Sequence, residues 1–150
     1  MFEHGDYVVG VNQQVLLFVG QGPWNDEAML VGAKKMGRQI SLLDHSKPWA
    51  QLSCLVGESL MPPSTFNAFV HHSKIRKQKG LVCLAIVILA SEVANTIKQQ
   101  LSAAYLQADI EHQFFPSFEL AIEWLAQRQF DIDRPELNAF LKQCDFLPSR

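Results

Sequence analysis

Long apolar runs are missing from this chain. The most apolar stretch, Leu81 to Leu89 (LVCLAIVIL), has nine residues, whereas a bilayer-spanning helix needs about 20, so no transmembrane segment is read. Charge of one sign is also lacking: a net charge of -2 speaks against a dedicated nucleic-acid binder, which is usually strongly basic. Cysteine is scarce. Cys54, Cys83 and Cys144 follow no framework spacing, which excludes a disulfide scaffold and fits a reducing compartment. There is no Cys-x-x-Cys or His-Glu-x-x-His for zinc, no P-loop, no nucleophile elbow and no pair of carboxylates in a catalytic pattern. Gly20-Gln21-Gly22 lacks the third glycine of a dinucleotide fingerprint and precedes a proline. The opening MFEHGDY has no basic region followed by an apolar block, so no signal peptide is read and a cytoplasmic location is expected. The expectation is a protein that is not an enzyme and has no cofactor and no metal.

What is present is an ordinary globular composition, 48% hydrophobic and 19% charged, enough to exclude disorder and to build one core from 150 residues. Leu81–Leu89 is rich in Val and Ile and has no amphipathic period. It reads as a central strand buried on both faces. Before it, YVVGVN and VLLFVGQ around Gln13-Gln14 read as an antiparallel hairpin, with Asn12 suited to a left-handed turn. Asn25 caps a first helix whose apolar stripe is Met29, Ala33, Met36, Ile40 and Leu43. Trp49 to Val56 is a third strand, with Ala50, Leu52, Cys54 and Val56 on the better buried face. Ser64 caps a second helix with Phe66, Phe69, Val70 and Ser73 inward, closed by Gly80. Ser91-Glu92 caps a third helix with Val93, Ile97, Leu101, Ala104 and Tyr105 inward. Ile110 to Phe115 is a last strand, and Pro116-Ser117 opens a fourth helix. Asp133 and Glu136 flank Pro135 as a capping box for a short fifth helix. The order β-β-α-β-α-β-α-β-α, plus a tail, predicts an α/β fold with a mixed sheet of about five strands and helices packed against it.

Individual side chains admit a bland and a sharp reading. Ser64 is a helix cap or a modifiable hydroxyl. His71-His72 points about 100° apart on a helix, which disfavours one shared metal, and His4, His45 and His112 have no ligand spacing. Cys54 within a strand reads as a core residue. Trp24 is either a lid stapled onto the first helix or an exposed aromatic anchor for a partner. The cationic run Lys74, Arg76, Lys77 and Lys79 complements a helix C-terminus or forms a partner-facing patch. Trp124 lies off the stripe of Phe118, Ile122 and Leu125 and is expected to meet the last helix or a second subunit.

Taken together, HGDY before the hairpin, GPWNDEA at the first helix, KPWAQL at the third strand, PPSTFNAF at the second helix and FFPSFELAIEWL near the end resemble a STAS-like domain. The nearer likeness is to the bacterial stand-alone SpoIIAA-like branch. The resemblance spans about His4 to Leu125 and implies a STAS-like domain over residues 1–130, with 131–150 as a helical extension packed on it. It further implies a non-enzymatic regulatory or protein-binding module, a degenerate form of the anti-sigma-factor-antagonist switch. In such switches a phosphorylatable serine stands within Asp-Ser-Ser/Thr-Gly before the second helix. Here Ser64 and Thr65 fall near that position without the acid or the glycine. The expected contact surface is Ser59, Ser64, Thr65 and Phe66, with Trp24 and Asn25 beside it. The partner is an unknown protein, and surplus apolar residues admit a homodimer. The alternative is a small apolar ligand or lipid held between sheet and helices, where Phe66, Phe69, Phe114 and Phe115 would line a pocket.

Overall fold

The computed structural model describes residues 6–148; His4 and Gly5 of the opening motif lie outside them. Strands β1 (Asp6–Asn12) and β2 (Val15–Gln21) form the hairpin, followed by α1 (Asp26–Ile40), β3 (Trp49–Val56), α2 (Pro63–Gln78), β4 (Leu81–Leu89), α3 (Ala94–Gln107), β5 (Glu111–Phe115), α4 (Phe118–Gln127) and α5 (Arg134–Leu141). The sheet runs β1-β2-β3-β4-β5 in chain order. β1 is antiparallel to β2 and the remaining pairs are parallel. The chain is thus α/β, with a five-stranded mixed sheet and five helices among the described residues.

The run Leu81–Leu89 is an interior strand, but the middle of the sheet is β3. With strands on both sides and helices over both faces, every residue of β3 is buried. Alternation sends Ala50, Leu52, Cys54 and Val56 to one face, where they meet Ala121 and Leu125 of α4 and Leu137 and Phe140 of α5. The opposite face, with Leu16, Leu84 and Ile86, is covered by α1, α2 and α3. Gln51 and Ser53, on the face expected to be the less buried of the two, also lie inside the protein, in the second layer.

Four local expectations are corrected. The left-handed turn residue is Gln13 (φ 54°), not Asn12. Asn12 is buried, and its amide brackets the Asp133 backbone, donating to the carbonyl at 2.9 Å and accepting from the N–H at 2.8 Å. Ser64 does not cap α2: Pro62 occupies that position without a side-chain bond, and Pro63, whose fixed φ suits a first helical residue, starts the helix. Likewise Val93, not Ser91, precedes α3, while Ser91 Oγ accepts from the Val93 N–H at 3.1 Å. On α1 the inward face is shifted by one residue to Ala28, Gly32, Met36 and Ile40, leaving Met29 and Ala33 half-buried beside it. Trp124 packs at the edge of the core that α5 helps to form; its ring lies 5.6 Å from Phe115, with the Arg128 guanidinium 3.9 Å above it.

Candidate functional site

The half-buried residues at the edge of the α1 stripe point to a gap in the three-helix layer. Between the sheet and helices α1, α2 and α3 lies a cavity of about 70 Å³. Its floor is the polar stretch of β3, Gln51 and Ser53, with Leu55 beside them. α1 supplies Met29, Ala33 and Met36, α2 supplies Phe69, His72 and Arg76, and α3 supplies Leu101 and Tyr105. Tyr7, Phe18 and Trp24 close one end. Tyr7 stacks on Phe18 at 5.9 Å, and the indole packs within 6.2 Å of both rings. Gly20 makes this seat: a Cβ there would stand 2.7 Å from the Trp24 ring and 2.8 Å from Phe18.

Apolar walls surround a few polar groups that the fold leaves incompletely matched. Gln51 is 2% exposed; its amide N–H donates to Ser53 Oγ at 2.9 Å, while Oε1 has no partner. Arg76 is 5% exposed, and its Nη2 donates to Ser73 Oγ at 3.3 Å, a long bond, whereas Nε has no partner. Its guanidinium lies 5.8 Å from the centre of the Phe69 ring. No carboxylate among the described residues forms an ion pair with it. Burial lowers the Arg76 pKa, opposed by Tyr105, but guanidinium remains charged under ordinary conditions. Burial pushes the Tyr105 phenol up to about 12, so it stays protonated and able to donate. Burial, then the charges of Arg76 and His71, lowers His72, which is neutral at pH 7. Arg76 is therefore the one formal charge among the residues that line the cavity.

The residues anticipated as a contact surface are spread over three settings. Asn25 Oδ1 caps α1 by accepting from the Ala28 N–H at 2.8 Å. Ser59 is buried; its hydroxyl donates to the Val56 carbonyl and accepts from the Gly22 N–H, tying the loop after β3 to the end of β2. Thr65 is buried and Ser64 exposed, yet both donate to the Asp26 carboxylate, at 2.7 Å and at 2.9 Å respectively, so the starts of α1 and α2 are joined. Phe66 is half-buried, and Trp24, at 8% exposure, offers little surface to a partner. Ser59 and Trp24 reach the cavity; Ser64, Thr65, Phe66 and Asn25 do not line it.

As site residues, Arg76, Gln51 and Tyr105 were not legible in the sequence, where Tyr105 reads only as part of the inward stripe of α3. Arg76 was submerged in the cationic run, although it falls three residues after Ser73 and seven after Phe69, the spacing of one helix face. Reactive or metal-binding alternatives find no focus here. Cys54 and Cys83 pack on the opposite face of the sheet, where burial, with Glu111 adding and Arg128 opposing, pushes the Cys83 thiol up to about 11. Among the described residues no group of three His, Cys, Asp or Glu could hold a metal, and no helix is long and apolar enough to cross a membrane. Searches against protein-family models, curated proteins and solved structures return no match to this chain.

Proposed function

We propose that this chain is a non-catalytic ligand-binding module, and that the cavity beneath α1, α2 and α3 takes a small molecule with an apolar body. The observation that carries this reading is the coexistence, in one cavity, of an apolar wall with buried polar groups of Gln51 and Arg76 that the protein leaves without partners. Such groups are uncommon in folded proteins and costly to leave unmatched, and binding sites are where they recur. Trp24 lines the cavity and reports on it. Titration with chloroform, a small apolar quencher, should give saturable quenching of the tryptophan fluorescence, reduced by a bulky substitution such as Ala33→Phe. Quenching that rises linearly with chloroform, or is indifferent to that substitution, would reject the site.

A second reading, the regulatory protein-binding role implied by the STAS-like resemblance, rests on one observation. Ser64 is exposed, and its hydroxyl bonds to Asp26 across the seam between α1 and α2. A phosphate there would set two negative groups face to face and loosen the seam. Mass spectrometry of protein from its native host tests this, and unmodified Ser64 under several growth conditions would count against it.

A further inference from the structure

Resting on the ligand-binding reading, we infer that the ligand is a compact aliphatic monocarboxylate of a few carbons, whose carboxylate meets Arg76. The argument starts from charge. A guanidinium cannot shed its proton to escape burial, and this one has neither an acid beside it nor a partner for Nε. An anion entering the cavity supplies what is missing. Arginine presents a planar fork that matches a carboxylate, and charge-assisted bonds of this kind are among the stronger ones. Tyr105, a protonated phenol on the neighbouring wall, adds a further donor.

The number of charges selects the class. One cation lines the cavity, His72 is neutral there, and no Asp or Glu lines it. A single negative charge is balanced; a dianion such as a phosphate monoester would bring a second, uncompensated charge among Leu55, Met36 and Phe69. Size limits the rest. The cavity of about 70 Å³ is roughly half the volume of an engineered apolar cavity that holds benzene, so neither an aromatic ring nor a long acyl chain has room unless helices move. Phe69, Leu101 and Met36 would surround the apolar part, and Gln51 Oε1 is left to accept from a hydroxyl or amine substituent.

The test is isothermal titration of the intact chain at pH 7.5 with acetate and propanoate, each paired with its neutral counterpart, ethanol and 1-propanol, and with methyl phosphate. The expected result is saturable binding in which each carboxylate exceeds its alcohol by roughly tenfold or more, the order expected of a charge-assisted bond. Methyl phosphate should be weak. Arg76→Met should erase the preference while leaving the alcohols bound. Arg76→Lys, which keeps the charge but not the fork, should retain part of it. If alcohols bind as tightly as acids, the carboxylate assignment is overturned and the apolar site stands. Failure of all five probes to bind overturns both. Should Arg76→Met not fold, the acid-to-alcohol ratio in the unaltered protein decides alone.

Discussion

At the scale of single residues, Arg76 governs the energetics of the empty site. A buried cation without an acid is destabilising, and replacing such a group by an apolar side chain of similar volume is often neutral or favourable. Arg76→Met is therefore expected to raise the stability of the ligand-free protein by about 1 kcal/mol, read as a higher urea midpoint at unchanged slope. A clear loss of stability would mean that the Ser73 bond and the Phe69 contact outweigh the burial cost. His72 supplies a pH signature. Burial and its cationic neighbours hold its folded pKa below the ordinary value. Between that depressed value and about 6.5 the unfolded chain binds more protons, so stability falls as pH drops through this window and levels off beneath it. His72→Gln should flatten denaturation midpoints between pH 7.5 and 5.5. Glu111, held down chiefly by hydrogen bonds from Arg128, loses its contribution only at lower pH, from the usual carboxylate range down to its depressed value, so the two effects separate. Arg76 also shows where sequence reasoning stops. A charge in a run of Lys and Arg reads as solvated, and only the neighbouring helices determine that its face is covered.

At the scale of elements, most of the framework was legible. Apolar period two or none marked the strands, and Asn25, Ser117 and Asp133 cap helices as their side chains suggest. Misreadings arose where proline or packing overruled a cap preference, as at Pro62-Pro63 ahead of Ser64, and where the β3 face of Gln51 and Ser53 read as the less buried one. The joint between α1 and α2 was not legible, because Asp26 reads locally as an acid in the first turn of a helix. In the fold it accepts from both Ser64 and Thr65. Asp26→Ala should cost about 1–3 kcal/mol, since the buried Thr65 hydroxyl is left without its acceptor. The double substitution with Thr65→Val should recover much of that loss. Equal destabilisation by single and double variants, measured in urea, would rule out the joint as the cause.

At the scale of the whole molecule, the two faces of the sheet are covered unequally in chain order. α1, α2 and α3 cover one face between consecutive strands, whereas α4 and α5 cover the other only after β5. Leu137, Phe140, Leu141 and Cys144 belong to that second core. A chain ending at Ile132 should therefore expose Val15, Leu17 and Leu52, bind a hydrophobic dye and lose cooperative melting. A sharp thermal transition in the truncated chain would contradict this.

The same arrangement bears on synthesis. Each strand pairs with the one made just before it, so the sheet can lengthen as the polypeptide leaves the ribosome. Yet Asn12 waits for Asp133, 121 positions later, to occupy its amide. At translation speeds of about 5–20 residues per second, a nascent chain spends several seconds or more with one apolar side uncovered, an interval in which a chaperone would find its target.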